Sequence, residues 1–439
     1  MSACICCFPL AAFCLVAAAQ SGPELIVDID VNDEVYIRTD RVMTAADVEE
    51  LVDNLHRAGC TTIIVRAGYL GLLPYQTELS YPMRFDPEHA REHAFSMVGD
   101  VEQYIATCTA NCARYAEFID AVNPPKAFID AAHARGMKAI VWLDIFDEFY
   151  PGYRSKFLEE HPECRWWSRD GERAMPGLLS YAFPEARAFR VAQARELLDL
   201  GADGIHCSTS AHLRHMPNVH TVDYYGYEQP VVDAFKERYG VDIRTGDFDV
   251  EKWHDVKGDF MVQLYRDLAG LCHGRGKELW VGLQLGRYTQ LCADPHFSTH
   301  AVARYANHWQ ALVDEGIADA FIVGDYEQVS VPTHPYWTLK TDIELGEGEN
   351  LYQWAARTYQ PHCKGKVRLF TFTEWLNSDP AKLEPRMKDF ARWTKDNGFD
   401  GVDVHEAMNF ERETNWPILA RFKAWLDGAP MDASAPGGQ

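Results

Sequence analysis

One pattern recurs along the chain: a glycine, a short apolar run, then polar or ionisable groups. Gly136–Asp144, Gly201–Ser210, Gly276–Gln284, Gly316–Asp325, Gly365–Glu374 and Gly398–Glu406 all show it. Apolar runs of this length, bounded by a glycine, read as buried strands. Their spacing predicts strands over Lys138–Phe146, Asp203–His206, Glu278–Leu285, Ala318–Asp325, Val367–Glu374 and Phe399–His405, and Leu25–Asp30 and Thr61–Arg66 supply two more. Helical periodicity fills the intervals. Thr44 is placed to cap a helix that carries Leu51, Leu55 and Ala58 on one face, and Pro124 opens another through Arg135. Further helices are expected over Glu185–Leu200, Glu228–Tyr239, Val256–His273, Ala301–Glu315, Leu351–Tyr359, Ala381–Asn397 and Pro417–Leu426. Strands alternating with helices eight times predict the α/β class and a (β/α)8 TIM barrel, whose chemistry lies at the carboxyl ends of the strands.

The 439 residues exceed a bare barrel of ~250. The excess falls in long insertions at about 70–123, 147–184 and 327–349. The first holds Tyr75, Tyr81 and Phe85 and reads as an ordered wall of a cleft, with a helix over 100–121 that carries Cys108 and Cys112. Residues 1–20 read as a secretory leader: an apolar run ending in small residues, though with no Lys or Arg before it. Residues 21–427 then form one barrel domain, and 428–439 a disordered tail rich in Gly, Pro and Ala. A leader implies a secreted or periplasmic protein. The eight cysteines outside it allow disulfides, while the lack of a Cys-x-x-Cys pair argues against structural zinc.

A formal net charge of −23 excludes nucleic acid and anionic membrane surfaces as partners, since both need basic patches. No membrane span is expected, and oligomeric state is open. No glycine-rich phosphate loop occurs, so no cofactor is expected. The strand ends bring together Asp28 or Asp30, Arg66 with Tyr69, Asp144 with Asp147, His206 with Ser208, Gln284, Asp325, Glu374 with Trp375, and His405 with Glu406. Several carboxyl groups around one opening suit glycoside hydrolysis, which needs a proton donor and a second carboxylate. The expected catalytic pair is Glu374 and Asp325, with Glu406 and Asp144 in reserve. Arg66, Tyr69, Trp142, His206, Ser208, Gln284, Trp375 and His405 are the expected binders of a carbohydrate substrate, and Trp142, Trp166, Trp167 and Trp375 offer aromatic faces. Asp203, Asp319 and Asp400 begin strands and read as structural.

Val65–Tyr69, the loop Leu73–Pro82, Gly136–Asp144 and above all Asp203-Gly-Ile-His206 carry a family resemblance. The chain resembles the family-10-like bacterial glycoside hydrolases over roughly residues 25–427. The resemblance implies a barrel glycosidase acting on bacterial polysaccharide. It also implies an acidic residue two positions beyond the histidine, where this chain has Ser208. A hydroxyl cannot replace a carboxylate in acid catalysis. Catalysis has therefore moved to other carboxyl groups, or the barrel binds a glycan without cleaving it. A metal-assisted hydrolase built on His206, His212, His215 and His220 is a third reading. It is weakened by the absence of a His-x-His on the first strand and of His-Glu-x-x-His anywhere, so no metal is expected.

Overall fold

The structure, a computed structural model, describes residues 22–93, 100–209, 222–292, 301–324, 343–374, 379–410 and 415–431. Eight parallel strands close into a barrel: β1 (Glu24–Ile29), β2 (Thr62–Arg66), β3 (Lys138–Asp144), β4 (Gly204–Ser208), β5 (Glu278–Leu283), β6 (Ala320–Val323), β7 (Arg368–Glu374) and β8 (Gly401–His405). Each strand pairs with its neighbour in chain order, and β8 returns to β1. The side-chain period of two divides every strand between two cores. Ile26, Ile64, Ile140, Trp142, Trp280, Ala320, Ile322, Phe370 and Phe372 fill the interior. Leu25, Val27, Ile63, Val65, Val141 and their counterparts face the helices.

The glycines that open the repeated pattern are backbone devices. Gly136 and Gly316 take φ of 69° and 64°, which lets each helix end turn directly into a strand. The aspartates that begin even-numbered strands do a matching job. Asp203, Asp319 and Asp400 accept hydrogen bonds from the backbone N–H of Ala139 (3.0 Å), Leu279 (2.7 Å) and Leu369 (2.7 Å), at the start of the preceding strand. They are structural, as their position at the amino-terminal face implies. Thr44 caps its helix in a reciprocal box with Asp47.

Three local departures have physical causes. Ala301–Ala306, expected as the start of a helix, is a strand antiparallel to Tyr288–Cys292; helix begins only at Trp309. Val302, Ala303 and Tyr305 are compatible with either period, and the partner strand decides. A helix over Val31–Ile37, unexpected from the sequence, follows β1 directly. The first insertion does hold the helix Val101–Val122. Its aromatics pack inward, however: Tyr75 and Phe85 are buried, and Phe85 meets Tyr153 edge-on at 5.3 Å. Seven cysteines of the described residues are free thiols, Cys108 and Cys112 among them. Among the described residues no helix is long and apolar enough to cross a membrane.

Candidate active site

The alternation that points Ile26 into the barrel also points Asp28 there, and Asp30 lies one step beyond the strand end. Asp30 caps the Val31–Ile37 helix, its Oδ1 accepting the Asn32 N–H at 2.9 Å. Its Oδ2 accepts from Arg66 Nη1 at 2.6 Å. Arg66 ends β2 and is 4% exposed. Its Nε donates to Asp144 Oδ2 (2.8 Å) and its Nη2 to Asp147 Oδ2 (3.0 Å), so one guanidinium holds three carboxylates. The group lies 4.8 Å from the Trp142 ring centroid, against the barrel core. A forked, permanently charged donor is the side chain able to serve three acceptors at once.

On the β8 side, His405 Nδ1 meets Asp28 Oδ2 at 3.3 Å, and its ring stacks on Phe372. Glu406 follows, 6% exposed, with Oε1 at 3.7 Å from His405 Nε2. Its Oε2 is buried and accepts no hydrogen bond among the described residues. Asp30, Asp33 and Glu406 bring carboxyl oxygens within 4.8 Å of one another. Burial, then the charges of Asp30 and Asp33, push the Glu406 carboxyl up to about 11, with the hydrogen bond it donates to Asp33 and the charge of Glu34 acting the same way. Burial and Asp30 raise Asp33 as well. Glu406 is thus a neutral acid at physiological pH, crowded by carboxylates that disfavour loss of its proton.

The same three oxygens are the one group among the described residues close enough to share a cation. A divalent ion there would sit beside the Arg66 guanidinium that already holds Asp30 at 2.6 Å. With no cation, proton sharing relieves the mutual repulsion of these carboxyl groups.

The remaining expected residues have definite places. Trp142 is 1% exposed, with Arg66 over its ring and His405 at its edge, and Trp166 is buried and donates to the Leu179 carbonyl. Trp167 is partly exposed and donates to the Glu163 carbonyl. Tyr69 is buried against Tyr153, and burial holds its hydroxyl well above the ordinary range. His206 lies inside β4, in register with Trp142 and Trp280. Ser208 is fully buried, in register with Asp144. Gln284 clamps the backbone of Gln290 in both directions (2.8 and 3.2 Å) and so anchors the hairpin after β5. Glu374 ends β7 opposite His405; its side chain lies outside the described residues, as do Asp325, Trp375, His212, His215 and His220.

Reading strand ends alone misses Asp33 and Glu34, which come from the helix after β1. The signal was an Asp30 cap followed by acidic residues in a first turn flanked by Val31 and Val35. It also misses Glu148, buried and bound by Arg190 Nη2 at 2.6 Å. A second buried ionic group secures the chain beyond β4: Asp223 pairs with Arg304 and His254, and Lys257 lies with its amine 3.4 Å from the Trp253 ring centroid.

No family model matches the chain, and no curated protein matches it in sequence. Solved structures do. The chain is similar to the glycoside hydrolase domain of PgaB (BpsB) from Bordetella bronchiseptica, at TM-score 0.50 and 14% identity, covering 90% of this chain and 99% of that one. It is also similar to the catalytic domain of a beta-amylase from Paenibacillus polymyxa, at TM-score 0.47 and 12% identity, over 92% and 97% of the two chains. At this identity the PgaB likeness bears on the fold, and the fold is a (β/α)8 barrel.

Proposed function

We propose that the protein is a glycoside hydrolase whose proton donor is Glu406. The observation that carries this reading is a pair of carboxyl groups in contrasting surroundings: Glu406 buried among acids, Asp30 ion-paired to Arg66. Environments that separate two neighbouring carboxyl groups in this way assign acid and base roles. Oxygens within 4.8 Å suit the close spacing of a retaining enzyme, about 5–5.5 Å between carboxyl groups, better than the ~6.5–9.5 Å that admits a water. Asp30 then attacks the anomeric carbon while Glu406 gives its proton to the departing glycosidic oxygen. A glycosyl ester forms on Asp30 and the aglycone leaves as an alcohol. Water, deprotonated by Glu406, displaces Asp30 and restores both groups. Arg66 keeps Asp30 oriented throughout, and Asp144 and Asp147 hold Arg66.

The fold likeness to a glycoside hydrolase domain supports this reading. Asp144 serves as a positioning group, and Glu374, opposite His405 on β7, remains a candidate for contact with the sugar. The test is hydrolysis of a polysaccharide panel by wild type, Glu406→Gln and Asp30→Asn. Loss of activity in both variants, with folding retained, is expected. Wild type that cleaves nothing would overturn the reading, and retention of a glycan by that inactive protein would favour a binding barrel.

A further inference from the structure

Behind Arg66 and its carboxylates lies a second buried arginine. Arg190 and Gln193 stand one turn apart on the helix Pro184–Asp199, and both are buried. Arg190 Nη1 donates to Gln193 Oε1 at 2.9 Å, and Gln193 Nε2 donates to the Ala67 carbonyl at 3.3 Å. Arg190 Nη2 donates to Glu148 Oε1 at 2.6 Å and to the Ile145 carbonyl at 3.4 Å. Its Nε donates to the Tyr181 hydroxyl at 3.0 Å, and that hydroxyl donates to the same Ile145 carbonyl. Ser155 Oγ donates to the other Glu148 oxygen at 2.5 Å. The three tethered residues are therefore Ala67, Ile145 and Glu148. Each directly follows a member of the Arg66 group, namely Arg66, Asp144 and Asp147. Ala67 and Ile145 lie one residue past the ends of β2 and β3, where a buried carbonyl needs a partner from outside the ladder.

From this geometry we infer that Arg190 is a positioning residue of the mouth: it fixes the backbone behind Arg66, Asp144 and Asp147, and so sets where the Arg66 guanidinium holds Asp30. A charge partner for Glu148 needs one contact. Arg190 instead uses all three of its nitrogens, and they converge on both strand ends and on the segment beyond β3. The planar fork allows this, whereas a lysine ammonium is a point charge without fixed fork directions. Arg66 Nη1 reaches Asp30 Oδ2 at 2.6 Å, so a shift at the end of β2 moves that contact directly. A displacement of about 1 Å in a group that orients a reacting carboxylate lowers a rate up to about 10²-fold. The inference rests on the glycosidase reading for what Asp30 does, and on the hydrogen-bond geometry alone for what holds Arg66.

The test is Arg190→Lys, which keeps a positive charge beside Glu148 and removes the fork. Two readouts are taken: the Arg66 Nε–H resonance by NMR of isotope-labelled protein, and steady-state rates on the glycan that wild type cleaves. The expected result is a shifted or broadened Arg66 resonance and a kcat lowered about 10–10²-fold with KM nearly unchanged, because an orientation needed in the transition state is lost. Asp400→Ala, which loosens the amino-terminal face, is the control for lost stability and should leave both readouts at wild-type values. If Arg190→Lys does not fold, Gln193→Leu takes its place. It releases the Ala67 carbonyl, keeps the Arg190–Glu148 pair, and should move both readouts in the same direction by less. An unmoved Arg66 resonance overturns the inference, whatever the rate. A moved resonance with an unchanged rate, or an equal effect from Asp400→Ala, overturns it too, and both leave the glycosidase reading intact. If wild type cleaves nothing, the glycosidase reading falls and the resonance alone decides whether Arg190 holds Arg66.

Discussion

The amino-terminal and carboxyl-terminal mouths of this barrel are built from the same strands and the same alternation, yet they handle charge in opposite ways. At the first, acids and bases are matched: Lys138 and Glu278 lie 2.6 Å apart, Arg368 reaches both Glu278 and Glu24, and all four are part-exposed. At the second, three buried carboxylates converge on one buried guanidinium, and burial together with acidic neighbours raises a further carboxyl group, Glu406. Matched, part-solvated pairs contribute little individually. A buried, unbalanced group is costly to assemble, and such perturbed sites cluster where chemistry is done. The lesson is that one end of the barrel is arranged for closure and the other for a task.

Removing the organising cation should separate the two ends most sharply. Arg66→Leu strands three carboxylates and is expected to lower stability by about 3–5 kcal/mol, whereas Arg368→Leu should cost about 1 kcal/mol or less. Urea unfolding of the two variants checks this, and equal losses would erase the distinction. Next in size is Glu406→Gln, expected to lower kcat by about 10²–10⁴-fold as a missing general acid does, read from initial rates on whichever glycan the wild type cleaves.

The same substitution sharpens the comparison through pH. The Glu406 carboxyl is raised in the folded protein from an unfolded value near ~4.3 to about 11. Between those values the folded state holds a proton that the unfolded state has lost, so stability contributed by this group declines as pH rises. Melting temperatures across pH 5 to about 9 should therefore fall more steeply for wild type than for Glu406→Gln, which has no proton to lose. Parallel curves would mean that Glu406 is ionised in the native protein. The smallest effect is expected at the quiet end: Asp400→Ala frees the Leu369 N–H at the start of β7 and should cost about 1–2 kcal/mol, with no change in catalytic pH dependence.

Much of this architecture could be read from the chain, because the eight apolar runs, six of them led by a glycine, are local signals and local physics sets them. The caps at Thr44 and Asp203 and the inward turn of Asp30, Arg66 and Asp144 follow from cap chemistry and a period of two. What escaped depends on closure. That Arg66 would meet Asp147 requires β2 to pair with β3, and that Glu406 would meet Asp30 requires β8 to pair with β1, a contact between distant parts of the chain. The Val31–Ile37 helix is too short to show a clear period, and it brought Asp33 and Glu34 to the site unannounced. Ala301–Ala306 went to strand because Tyr288–Cys292 was available to pair with it. Trp142 looked like a sugar platform only while its neighbours were unknown; in the fold Arg66 and His405 lie against its ring.

The account turns on the proton of Glu406, and infrared spectroscopy of the carboxyl stretch reads it directly. At neutral pH the difference spectrum between wild type and Glu406→Gln should contain the C=O band of one protonated, buried carboxylic acid that is present only in wild type. A difference spectrum showing only a lost carboxylate band would place a charged Glu406 in the mouth and contradict its role as the proton donor.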